Sequence, residues 1–254
     1  MASKPRLVAS LSLVSGEAVK TKSFHEPRYL GDPMNFTRLF SRFEVDELAI
    51  FDFSERFDKP VTQMEVLEGI LQSAFMPISY GGGVSNLEQA KKVFSLGFDR
   101  VILKSVLNNS AELNSIASTF GQQAVVACLN VTKLKGVIDV NGEKMDIEDL
   151  CRYATRISKE GAGELLLHDV KQDGTRGGYS LLSEASELAD VLDIPVSIMG
   201  GVRDIDEAAQ IVNSSKVNSV VGSSMFVFHP TRDSVFVNYP KKDVWDEKLK
   251  GGMK

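Results

Sequence analysis

A glycine-rich stretch is built twice into this chain. "MPISYGGGVSN" (76–86) and "IPVSIMGGVRD" (194–204) align so that Gly83 falls on Gly201, 118 residues later. The echo extends past the glycines. "FDF" (51–53) lies over "HDV" (168–170), Ser12 over Asn130, and "VILKS" over "VVGSS" once one residue is inserted near Ser214. Eight short apolar runs rich in branched residues carry these features: 6–14, 47–53, 76–80, 100–105, 123–130, 164–170, 194–199 and 219–226. Each is too short and too continuous for an amphipathic helix and suits a strand buried on both faces.

Segments with helical spacing separate them, among them 86–97, 146–162 and 204–215, with Asn86 and Asp204 as N-caps and Gly97 and Gly161 as stops. Such alternation predicts an α/β fold, a single (β/α)8 TIM barrel over 1–254, because eight parallel strands that close on themselves leave no edge. A doubly wound open sheet is the alternative, but it gives no reason for features to recur after four strands. The repeat favours two fused half-barrels, approximately 1–120 and 121–254.

Composition excludes more than it suggests. With a net charge of −5, no global field recruits nucleic acid. No stretch approaches the roughly 20 apolar residues of a membrane helix, and the first residues lack a long apolar region or an evident cleavage site. Cys128 sits in the apolar run "AVVACLN", which suits a buried thiol in a reducing compartment better than a disulfide with Cys151. The expectation is a cytoplasmic protein without nucleic-acid or membrane partners.

In a barrel, the glycine stretches end strands three and seven at the carboxyl face, where sites lie. Adjacent glycines let backbone N–H groups approach an anion, and the following helix adds its positive end. Strands four and eight then bring Lys104, Ser105, Ser223 and Ser224, whose ammonium and hydroxyls also suit phosphate. The pattern predicts two anion sites facing each other, fitting a phosphorylated small molecule charged at both ends. His25, His168 and His229 show no metal-ligand spacing, no cofactor is indicated, and His168 is placed between barrel and helices. "VIDVNGEKMD" (137–146) reads as a hairpin over Asn141–Gly142, and Trp245 with the tail as a cap on the last helix of the barrel.

"GEAVKTKSF", "GDPMNFTRLFSRFEVDELAIFD", "PISYGGGV", "QQAVVACLN", "GAGELLLHDVKQDGTRGGY" and "PVSIMGGV", in this order over nearly the whole chain, resemble the HisF family, the cyclase subunit of imidazole glycerol phosphate synthase. The resemblance implies a barrel that binds a bisphosphate and receives ammonia through its interior from a HisH-like glutaminase at the amino-terminal face. It implies phosphate positions at Gly83, Lys104 and Ser105 on one side, with Lys104 in place of a usual Asn, and at Gly174, Thr175, Gly201, Ser223 and Ser224 on the other. It matches Lys20 to a lysine of the first, substrate-covering loop, and it aligns Arg6, Glu47, Arg100 and Glu164 with a charged gate below the ammonia route.

The resemblance fails at the two aspartates that serve that family as general acid and base, where this chain has Ser12 and Asn130. A hydroxyl is a poor acid and an amide does not titrate, and losing such a catalyst costs about 10²–10⁴-fold. A further family acid reads Lys171, whereas Asp173 remains. This combination, with "VKTKSFHEPRYLGDP" (19–33) and "DSVFVNYP" (233–240), is similar to a divergent branch associated with surface-polysaccharide genes (WbuZ-type). It implies an ammonia-channelling subunit of a glutamine-dependent amidotransferase that amidates an amino sugar, with or without a third protein that performs the transfer. Two alternatives stand beside it. One is a histidine-pathway cyclase in which Asp52, Asp169 or Asp173 replaces the missing pair, and the other is a phosphate-binding scaffold without catalysis.

Overall fold

The computed structural model describes residues 4–57, 62–134, 137–229, 232 and 234–251. Barrel strands one to eight are Arg6–Val14, Glu47–Asp52, Ile78–Gly81, Arg100–Leu103, Val125–Leu134, Glu164–Asp169, Val196–Met199 and Ser219–Gly222. Every neighbouring pair is parallel. Strand eight pairs with strand one from Arg6↔Ser219 to Ala9↔Gly222, so the ring of eight parallel strands closes on itself.

The strands read as unbroken apolar runs because both of their faces are covered. Along strand six, Leu165 and Leu167 pack outward under the helices while Leu166 points into the barrel. The helices start where the caps predict: Asn86 accepts from Gln89 N at 2.9 Å, and Asp204 from Asp206 N and Glu207 N. Gly97 ends its helix in the left-handed conformation. Helix Pro33–Arg42 begins on the Asp32 cap with proline in its first turn and buries Phe40 completely. Replacing Phe40 by alanine is expected to cost about 3–5 kcal/mol, read from urea unfolding midpoints.

Three additions decorate the barrel. Strands Glu17–Lys22 and His25–Gly31 form a hairpin after strand one. Strands Val137–Val140 and Glu143–Met145 form a second hairpin, paired to the end of strand five, and its turn is Asn141 and Gly142 at φ 54° and 96°. The tail packs on the last long helix of the barrel, Ile205–Ser214, where Asn213 Nδ2 donates to Lys248 O at 3.0 Å, and it also reaches the first strand. Trp245 lies in a terminal helix, Lys242–Gly251, and donates to Pro5 O at 3.3 Å, while Tyr239 Oη donates to Leu7 O at 2.5 Å. The C-terminal segment is therefore strapped to the first strand, which offers carbonyls at its start. No helix among the described residues is long and apolar enough to cross a membrane.

Candidate functional site

At the amino-terminal mouth four charged side chains meet. Arg6, Glu47, Arg100 and Glu164 sit at or near the starts of strands one, two, four and six and turn inward. Arg6 donates to Glu47 Oε2 at 2.5 Å and to Glu164 Oε2 at 2.6 Å. Arg100 closes the circuit, at 3.4 Å from Glu47 Oε2 and 2.5 Å from Glu164 Oε2. Ser197 donates to the other oxygen of Glu164 and is itself bonded to Ser219. Burial alone would raise the pKa of Glu164, but Arg100, Arg6 and these hydrogen bonds outweigh it and hold the carboxyl below its ordinary range. Two charges of each sign thus neutralise one another where an unpaired ion would be costly.

Above this ring the interior is mostly apolar, although Ser10 and Ser12 share the inward phase of Val8 on strand one and are buried there. Val8, Ala49, Phe51, Ile102, Val126, Cys128, Leu166, Met199 and Val221 form one cluster, distinct from the outer core. The lumen opens at the carboxyl mouth into a cavity of about 460 Å³. Gly81, Gly82, Gly83, Lys104 and Ser105 line it from strands three and four, Cys128, Asn130 and His168 from strands five and six, and Phe24, Phe51 and Phe53 supply an aromatic wall. Phe24 comes from the turn of the first hairpin, and its ring meets Phe53 edge-on at 4.9 Å.

The opposite side of the mouth is nearly closed. Gly174, Gly201, Ser223 and Ser224, together with Lys20, Asp173 and Arg176, line a space of only about 20 Å³. Gly201 has φ 82°, and a Cβ there would lie 2.6 Å from Gly178 O, so the turn admits no side chain. Ser224 Oγ and Arg176 Nε are buried around this space without a hydrogen-bond partner among the described residues. Thr175 does not join them. It is exposed and gives its hydroxyl to Gln172 O at 2.8 Å, capping its own turn. Ser12 is buried and lines neither space, so only Asn130 of the two substituted positions faces the large cavity.

Lys20 stands on a strand of the first hairpin rather than on an irregular loop, and lies 3.5 Å from Asp173 Oδ2, both groups buried. The hairpin is held there by Ser23, whose N–H donates to Asp173 O at 2.8 Å. His168 is not between barrel and helices. Glu164 points inward, and the two-residue period of a strand carries Leu166 and then His168 inward too. Its Nδ1 lies 3.3 Å from Asn130 Oδ1, its Nε2 3.7 Å from Asp173 Oδ1, and its ring 5.5 Å from that of Phe24. Asp52 lines the large cavity and Asp169 does not, but the carboxylates of both are engaged by the loops that follow their strands. Asp52 accepts from Ser54 and Thr62, and Asp169 from Gln172 and Ser180, so each ties down the loop that follows its strand.

Asp173 makes the acid stability of the site measurable. Burial pushes its pKa up, but Lys20 and His168 outweigh burial and bring it from 3.8 to about 2. A depressed folded pKa adds stability that is present above the unfolded value and lost as pH falls through the folded one. Asp173→Asn is therefore expected to remove about 2 kcal/mol of the pH dependence of unfolding between about pH 4 and about pH 2, read from urea titrations.

A family model described as "Histidine biosynthesis protein" matches residues 6–230. A Leptospira interrogans protein provisionally named imidazole glycerol phosphate synthase subunit HisF is 31% identical over 249 residues, covering 94% of this chain and 96% of that protein. The chain belongs to the HisF family. A Pseudomonas aeruginosa relative provisionally named subunit hisF2 is 32% identical over 92% of this chain and 95% of its own length. A Clostridium botulinum protein named subunit HisF is 27% identical over 96% of this chain and 98% of its own. HisF-type kinship therefore extends along the whole barrel and includes both of its mouths.

Proposed function

We propose that this chain is the ammonia-conducting barrel subunit of a glutamine-dependent amidotransferase, and that its acceptor is a phosphate-bearing amino sugar used for surface polysaccharide. One observation carries the reading: a closed ring of two arginines and two glutamates lies beneath an apolar lumen that leads to a roomy upper cavity. A charged ring under a dry lumen suits admission of a small neutral molecule, and burial keeps ammonia uncharged and nucleophilic. Gly83, Lys104 and Ser105 would hold the phosphate in the open cavity. Ser12 and Asn130 argue against the family's usual cyclisation at this face.

A HisH-like glutaminase would supply the ammonia from below. Phe43 and Phe75 stand in helix-to-strand connections on that amino-terminal face, and Phe75 is 90% exposed, a form of apolar display that fits a protein partner. The test supplies purified chain with the ribulosyl bisphosphate intermediate of the cyclase and a high ammonium concentration. Binding without turnover is expected. Turnover at a synthase-like rate would overturn the amidotransferase reading and return the chain to histidine biosynthesis.

A further inference from the structure

The upper cavity needs a group that can exchange a proton near neutrality, and few of its residues can. Cys128 is pushed up to about 12 by burial, which Lys104 only partly opposes. Asp52 has its oxygens committed to Ser54, Thr62 and Tyr80. Glu55 and Lys104 are exposed, beside Gly83 and Ser105, and Asn130 is an amide. His168 is different. It is buried at the boundary of the cavity, and its Nε2 has no hydrogen-bond partner among the described residues. Histidine is also the side chain whose charge ordinarily changes between pH 5 and 8.

Each ring nitrogen faces an oxygen. Nδ1 faces Asn130 Oδ1 at 3.3 Å and Nε2 faces Asp173 Oδ1 at 3.7 Å. A neutral ring donates to only one of these oxygens, whereas an imidazolium offers an N–H to both. Lys20, 3.5 Å from the other oxygen of Asp173, opposes the imidazolium, and Lys104 lines the same cavity with the same sign. Phe24 covers the ring edge-on from the first hairpin. An anion, a cation and a fixed amide therefore surround one titratable ring.

We propose that His168 takes and returns protons in the upper cavity, with Asp173 as its positioning residue. The proposal rests on the ammonia-delivery reading given above. In that reaction the lone pair of ammonia forms a bond to a carbonyl carbon of the ligand, and the C=O π pair moves onto its oxygen. The proton shed by the new ammonium passes to the neutral imidazole of His168, and the imidazolium then returns a proton to that oxygen. Ammonia and a carbonyl compound are the only reactants; their neutral adduct then sheds its hydroxyl and a proton from nitrogen as water, leaving the imine.

Two measurements on the full chain test this. In the first, the Cε1–H signal of His168, assigned by its loss in His168→Gln, is followed by NMR against pH. Asp173→Asn is expected to weaken proton binding at His168 tenfold or more, and Lys20→Met to strengthen it. Titration curves that coincide with wild type in both variants would overturn the proposal, and their opposite signs separate charge coupling from a loosened fold. The second uses ribulose 5-phosphate as a keto-phosphate probe with 15N-ammonium, trapping the condensed adduct with cyanoborohydride for mass spectrometry. Acceleration by the wild type is expected to fall about 10²-fold in His168→Gln and to survive in His25→Gln. Calorimetric binding of the probe without acceleration overturns the role of His168. Failure to bind contradicts the phosphate-ligand reading instead, and the titrations then decide His168 alone.

Discussion

Replacing Glu164 by alanine is expected to destabilise the barrel by about 3–5 kcal/mol, the usual cost of removing one partner from a buried ionic cluster. One of its oxygens receives a guanidinium N–H from Arg6 at 2.6 Å and another from Arg100 at 2.5 Å, and its second oxygen receives the Ser197 hydroxyl. Without it, two arginines share Glu47, and Arg100 reaches that residue only at 3.4 Å. Its depressed pKa gives the same contribution a pH signature: present above the ordinary carboxylate range, and lost as the solution is acidified through the lowered folded value. Urea unfolding of wild type and variant at neutral and acidic pH reads both effects. A difference below about 1 kcal/mol at neutral pH would mean that water solvates the ring well enough to replace the carboxylate.

The second large effect is a gain. Supplied with the ribulosyl bisphosphate intermediate and ammonium, the double variant Ser12→Asp, Asn130→Asp is expected to turn over at least about 10²-fold faster than the unmutated chain. The two positions differ in what they demand. Asn130 lines the large cavity beside His168, so a carboxylate there gains a neighbour able to bond it. Ser12 is enclosed, so an aspartate there meets the desolvation cost of a buried acid and lowers the stability of the variant. Rates should therefore be compared after confirming that each variant is folded. A double variant no faster than wild type would mean that the upper face holds a ligand in a geometry these carboxylates do not serve.

Much of this architecture was legible from residue order. Branched apolar runs located all eight strands, since a strand covered on both faces has little room for polar residues. Asn86, Asp204 and Gly97 marked helix ends through groups that satisfy backbone atoms locally. The hairpin over Asn141–Gly142 was legible because its turn needs two positive φ angles. Other features depended on phase and distance. Strand six, "ELLLHD", shows no alternation, so its composition says nothing about which way His168 points, although the inward Glu164 sets the phase. The first hairpin was missed because Ser23 and Phe24 occupy positive φ without a glycine or asparagine to announce the turn. Arg176 and the wall of Phe24, Phe51 and Phe53 join the mouth only through folding of segments distant in sequence. The unequal size of the two anion spaces has the same origin, since it depends on how the hairpin lies over the barrel.

The pairing of the last strand with the first has a consequence for how the molecule comes into being. A ribosome releases Arg6–Val14 long before Ser219–Gly222, so for most of its synthesis the nascent barrel is an open, curling sheet with two unprotected edges. Closure waits for strand eight, and the tail fastens the seam only once Tyr239 and Trp245 reach the carbonyls of Leu7 and Pro5. The seam joins residues more than 200 positions apart, so completion is entropically slow and comes after the seven other strands have been made. A message cut short before this segment therefore yields a chain that cannot close the ring, and its exposed edges become targets for aggregation and for quality control.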